Sequence, residues 1–167
     1  LLPAPSMSFC NRPRSQSAAV RFAGYHGSPD SKIAAVIAGL ESIWSSPGAL
    51  EGSFMELGCG DGRVAVEVCR AFPARRAVGV ELETKLVDQA RALAKHHHVS
   101  GRCDFHVGDL AAVDLSEAAV VFLYFPPMAL SALLAVLGVS RLRNGAIVVS
   151  ADGAWKAKDR QNLGLYS

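Results

Sequence analysis

No stretch of this chain approaches the roughly 18 consecutive apolar residues of a membrane-spanning helix, although 50% of its 167 residues are hydrophobic. It is therefore read without a transmembrane segment. A strong charge of one sign is missing as well. Seventeen basic and fifteen acidic residues leave a formal net charge of +2, too close to neutral to argue by itself for a nucleic-acid partner. The four cysteines, Cys10, Cys59, Cys69 and Cys103, include no Cys-x-x-Cys pair, so neither a zinc site nor a disulfide framework is signalled. They read as free thiols of a reducing compartment. There is no internal repeat. No acidic residue stands before Asp30; residues 1–24 hold instead Pro3, Pro5, Pro13, several serines and Arg12, Arg14 and Arg21. That composition fits a disordered tail, or the remnant of an organelle transit peptide, which is rich in Arg and Ser and poor in acids. The chain opens on Leu1, as expected of a fragment or a processed form. Residues 25–167 are expected to form one domain with a sizeable core.

What the chain does have is a glycine turn. In Phe54-Met55-Glu56-Leu57-Gly58-Cys59-Gly60-Asp61-Gly62-Arg63-Val64, apolar residues run into Gly-x-Gly-x-Gly and a helical pattern follows. A buried strand can end at Leu57 and a helix can start near Gly62. Glycine lets a ligand approach the main chain, and the first N–H groups of the helix stay unpaired and point into that space. The result is a nucleotide site of Rossmann type. The dinucleotide fingerprint needs a further glycine three positions after the second, and Arg63 stands there. Glu56-x-Gly58-x-Gly60-x-Gly62 resembles instead the first motif of class I S-adenosylmethionine-dependent methyltransferases.

Ahead of the turn, Ser28 or Asp30 can cap a helix, with Pro29 in its first turn. Ile33, Val36, Ile37, Leu40 and Trp44 follow at helical spacing, and Pro47-Gly48 breaks the pattern. Behind the turn, Ala65, Val68, Cys69 and Phe72 form one helical stripe that Pro73 ends. Arg76-Ala77-Val78-Gly79-Val80-Glu81 is a second strand closed by an acid. Glu81 lies about 20 residues past the turn, where a carboxylate can accept from ribose hydroxyls; a helix cap or a surface acid is the plainer alternative. Leu86, Ala90, Leu93 and Ala94 give the next helix its core face. Lys95 and His96-His97-His98 close it, and cations near a helix C-terminus are favourable. Consecutive helical residues point to different faces, so no metal site is read there. Cys103, Phe105 and Val107 alternate with polar residues, which predicts a half-exposed strand at a sheet edge. It runs into Gly108-Asp109-Leu110. Ala118–Tyr124 shows no alternation and suits a central parallel strand buried on both faces. Phe125-Pro126-Pro127-Met128 stops it, Leu130, Leu133, Leu134 and Leu137 form a helix, and residues 145–150 supply a fifth strand.

Strands alternating with helices predict an α/β fold: a Rossmann-like doubly wound, mostly parallel sheet. Ligands of such sheets bind beyond the carboxyl ends of the strands, and Gly58, Gly60, Glu81, Asp109 and Tyr124 all fall there. Gly60-Asp61-Gly62-Arg63, Gly79-Val80-Glu81-Leu82 and Phe125-Pro126-Pro127-Met128 together resemble small protein-lysine methyltransferases, among them mitochondrial members that modify ATP synthase or the adenine nucleotide translocase. The histone lysine methyltransferases of the telomeric-silencing type look more distantly similar. The full fold carries seven strands, so this chain is C-terminally short of it. The Pro-Pro pair is also similar to the Asn/Asp-Pro-Pro-Tyr motif of base, amide and amine methyltransferases, but Phe125 and Met128 replace its polar first and aromatic last residues, against a base or glutamine acceptor.

The resemblance implies S-adenosyl-L-methionine as cofactor. It assigns Glu56, Gly58, Cys59, Gly60 and Gly62 to the glycine turn, Glu81 and Leu82 to the ribose side, and Asp109 and Leu110 to the adenine. It adds Tyr25 and Gly27 near the methionine end, although a surface loop with one packed tyrosine explains those two as well. Tyr124, Phe125 and Pro126 would wall the acceptor. An aromatic wall without a carboxylate suits an alkyl amine, so the expected substrate is a protein lysine, with a small molecule or a nucleic-acid base as lesser options. Burial would help neutralise the lysine. No metal is expected. The location expected is mitochondrial or cytoplasmic. A dinucleotide-dependent oxidoreductase and a degenerate Rossmann-like binding module are the competing readings.

Overall fold

The computed structural model describes residues 27–45, 51–126, 129–130, 132–133 and 142–150. The expected tail, together with Tyr25, Pro127, Met128 and residues 151–167, lies outside them. The order of elements is α1 (Asp30–Trp44), β1 (Ser53–Leu57), α2 (Arg63–Ala71), β2 (Ala77–Glu81), α3 (Thr84–His96), β3 (Cys103–Val107), a 3-10 turn (Leu110–Ala112), β4 (Ala118–Leu123) and β5 (Ile147–Ser150). The five strands form one parallel sheet in the order β3-β2-β1-β4-β5.

This order follows from hydrophobic patterning. β1 and β4 are flanked on both sides; β4 is apolar throughout, and every residue of it is buried. β3 has β2 as its only neighbour among the described residues, the edge place its pattern predicted; its alternation holds from Cys103 to His106, whereas Val107, expected to group with the buried Cys103 and Phe105, is 46% exposed. Two cores result, one on each face. Ile33, Val36 and Leu40 of α1 pack with Val64, Val68 and Cys69 of α2 over Phe54, Phe105 and Phe122. On the other face Met55, Leu57, Val80, Val121 and Leu123 meet Leu130 and Leu133. Burying a side chain of this size is worth about 1.5–3 kcal/mol.

The start of α1 corrects one expectation. Pro29 is the cap residue and no side chain caps the helix; neither Ser28 nor Asp30 does so. The Pro29 carbonyl accepts from the N–H groups of Lys32 and Ile33, and Asp30 sits in the first turn, where a negative charge is favourable.

Candidate functional site

The sheet changes direction at β1: β2 and β3 continue to one side, β4 and β5 to the other. A crevice opens beyond the carboxyl ends at such a switch point. The glycine turn occupies it. Gly58, Gly60 and Gly62 all have positive φ, at 74°, 54° and 78°. The N–H groups of Gly58 and Cys59 both donate to the Val80 carbonyl, at 2.8 and 3.1 Å, so the turn is stitched to the end of β2.

Gly62 and Gly58 are constrained differently. A Cβ on Gly62 would stand 2.6 Å from Ala90 Cβ and 2.7 Å from Phe105 Cζ. Gly62 therefore lets α2 close on α3 and β3, a packing role. A Cβ on Gly58 would stand 2.5 Å from Phe125 Cζ, so the Phe125 ring rests on the main chain where the turn begins. The same Phe105 ring would meet a side chain at Gly79, and Cys59 Sγ would too. Cys59 is buried, and that burial, with the charges of Glu56 and Glu81, pushes its thiol up. It is a packed thiol, not a nucleophile.

Two carboxylates organise the turn. Glu56 is 4% exposed and accepts from the Ala65 N–H at 3.0 Å. Gly62 offers no side chain to cap α2, and Glu56 supplies that acceptor from the neighbouring strand. Burial raises its carboxyl to about 8, with Asp61 and Glu81 adding to the rise. Glu81 sits at the end of β2. One of its oxygens accepts from the N–H groups of Leu82 and Glu83, at 2.6 and 3.1 Å. The other accepts from Gly60 N–H at 3.2 Å. Three of about four acceptor positions are thus used to aim this carboxylate at the crevice.

Leu82 follows, 38% exposed. On the adjacent strand end, Asp109 accepts from Ala111 N–H at 2.9 Å and caps the 3-10 turn, leaving Leu110 buried. Gly27 lies in the half-buried approach to α1.

The expected acceptor wall is divided. Tyr124 packs with the core beneath α1 and α2, Phe125 with the opposite core, as successive residues of an extended chain must. Pro126 is exposed, and its carbonyl accepts from Leu130 N–H. Sequence reading found no basic group in this segment and missed the one that α1 brings to it. Lys32 Nζ donates to Tyr124 Oη at 3.0 Å and lies 4.4 Å from the ring centroid. Nothing in the local pattern links residues 92 positions apart.

Among the described residues no cluster of His, Cys, Asp or Glu could hold a metal ion, and no helix is long and apolar enough to cross a membrane.

A parallel sheet of this order, with a glycine turn after the first strand and an acid ending the second, defines a Rossmann-like fold of the class I S-adenosylmethionine-dependent methyltransferase type. Residues 56–158 match the ANTKMT methyltransferase domain, and the chain belongs to that family. A protein-lysine N-methyltransferase of Saccharolobus islandicus (strain REY15A) is 38% identical over 69 residues, which are 41% of this chain and 43% of that protein. The match thus spans less than half of the curated relative. Among solved structures, an RNA methyltransferase from Salinibacter ruber, in complex with S-adenosyl-L-homocysteine, is 32% identical with a TM-score of 0.64, over 75% of this chain and 76% of that one. A methyltransferase from Geobacter sulfurreducens with the same ligand shares the fold at 21% identity and a TM-score of 0.58, over 73% of this chain and 47% of its own.

Proposed function

We propose that the chain is an S-adenosylmethionine-dependent methyltransferase whose acceptor is a protein lysine. The observation that carries the lysine is the ammonium of Lys32 lying on the Tyr124 ring beside the Tyr124 hydroxyl. A site that holds one alkylammonium at the end of β4 suits another.

The residues present fit the cofactor. Gly60 takes a φ of 54° that suits glycine, and the Glu81 carboxylate is held ready at the strand end. Gly58, Cys59 and Gly60 would line the methionine end, Glu81 would accept from the ribose, and Leu82, Asp109 and Leu110 would take the adenine. Gly27 and Tyr25 would approach from the segment before α1. Glu56 and Gly62 would serve from behind, by fixing α2. When bound, the cofactor supplies an electrophilic methyl group. Tyr124 would position the amine, and Phe125 and Pro126 would keep water from it. Alignment of the reactants can contribute about 7–11 kcal/mol in favourable cases.

Glu81→Ala is expected to weaken S-adenosylmethionine binding by about 1–3 kcal/mol, the worth of charge-assisted hydrogen bonds. Calorimetric titration checks it, with NAD as the control ligand. Unchanged affinity in a folded variant would remove Glu81 from the site, and binding of NAD alone would restore the oxidoreductase reading.

The RNA methyltransferase of Salinibacter ruber favours a second acceptor, a nucleic acid. Tritiated S-adenosylmethionine added to cell extract decides between them. Label removed by protease supports lysine; label removed by nuclease overturns it. The composition before Asp30 and the resemblance to mitochondrial protein-lysine methyltransferases are what support a mitochondrial location. The same composition supports a tail over residues 1–24, ahead of a catalytic domain over 25–167.

A further inference from the structure

We propose that Lys32 is itself a methyl acceptor: within its own chain it stands where the amine of a protein substrate would be held. The inference rests on the methyltransferase reading above.

α1 packs over the sheet and carries Lys32 to the end of β4. Nζ makes two contacts of the kind an incoming lysine would make: an N–H donated to the Tyr124 hydroxyl at 3.0 Å, and a cation on the ring face, 4.4 Å from its centroid. The ring stands next to the glycine turn. Leu123 is in register with Leu57, so Tyr124 leaves β4 level with Gly58. Lys32 lies in the first turn of α1, whose cap uses no side chain, and its amine rides on a flexible four-carbon stem.

The chemistry balances. Nζ first gives one proton to solvent. Its lone pair then forms the N–C bond as the S–C bond of the sulfonium breaks, with the electron pair of that bond kept by sulfur. The positive charge passes to the methylated ammonium and a thioether leaves. A Lys32 so modified would still lie on the ring but would lose N–H groups to give to Tyr124, so the acceptor position would be altered by its own product.

The purified 167-residue chain, incubated with tritiated S-adenosylmethionine, is expected to label itself at a rate per molecule that does not change on dilution. Tandem mass spectrometry should find the methyl groups on Lys32. Lys32→Arg keeps a cation on the ring, and should lose this label with calorimetric affinity for S-adenosylhomocysteine within about twofold of the wild type. A readout without turnover is also available. Reductive methylation with 13C-formaldehyde places NMR-visible methyls on the lysines, and the Lys32 signal is identified by its loss in Lys32→Arg. That signal should be shifted upfield by the Tyr124 ring, should lose the shift in Tyr124→Leu, and should move when S-adenosylhomocysteine is added. A Lys32 signal at the position of a free lysine, indifferent to that ligand, would overturn the placement. An unlabelled Lys32 in a chain that methylates lysines of other proteins would overturn this inference alone. Failure of the chain to bind S-adenosylmethionine would overturn the methyltransferase reading and this inference with it.

Discussion

Gly62→Val is expected to cost the chain about 2–6 kcal/mol of stability. Two effects combine. Overpacking a close-packed interior costs about 1–3 kcal/mol, and the new Cβ would meet Ala90 and the Phe105 ring inside 3 Å. A β-branched residue held at φ 78° adds about 1–3 kcal/mol of backbone strain. Against a total of about 5–15 kcal/mol for an ordinary domain, such a loss brings many molecules to unfolding at physiological temperature. Urea denaturation of the variant measures it. Pairing it with Phe105→Ala tells the two effects apart: the double variant should be less destabilised than the sum of the singles, because the ring is the object struck. A midpoint equal to the wild type, with cofactor binding lost, would return Gly62 to the ligand side of the turn.

The second large effect is a dependence on pH. Below about 4.5, the ordinary value for glutamate, Glu56 carries its proton in both folded and unfolded chains and has no influence. Its folded value is about 8, so between these limits the unfolded chain ionises while the native chain keeps the proton. The unfolded state then binds fewer protons, and stability falls as pH rises. Each unit of difference is worth 1.36 kcal/mol, so the loss across the window amounts to a few kcal/mol. Glu56→Gln keeps an acceptor for the Ala65 N–H and removes the titration. Its stability should decline less between pH 5 and pH 8 than that of the wild type, and at pH 8 the variant should be the more stable of the two. Parallel pH profiles for the two proteins would show that Glu56 is ionised in the native state.

These residues mark where the sequence was legible. The strands and their succession along the chain follow from apolar runs and glycine punctuation, and β3 could be placed at an edge because its alternation is visible in the sequence. Glu81 could be placed at a strand end from spacing alone. The distinct uses of Gly58 and Gly62 could not be told apart, because each depends on an aromatic ring from a distant segment: Phe125 for one, Phe105 for the other. Glu56 read as one member of a ligand motif, whereas its geometry is that of a cap lent by a strand to the helix that follows. Tyr124 and Phe125 read as one wall, and the pleat divides them. Lys32 was invisible as a site residue, since its partner Tyr124 stands 92 positions away in the chain.

The division of the sheet at β1 has a consequence for descent. The glycine turn, Glu81 and Asp109 all belong to the half that runs from β1 to β3, whereas Tyr124 and Phe125 belong to the half that begins at β4. The two halves share the ladder between β1 and β4 and side-chain contacts as well: Phe54 stacks on Phe122, and the Phe125 ring rests on the main chain at Gly58. A replacement of Phe125 therefore acts on the glycine turn as well as on the half that begins at β4. A lineage built on this sheet thus exchanges Phe125 only together with an adjustment of the turn it rests on.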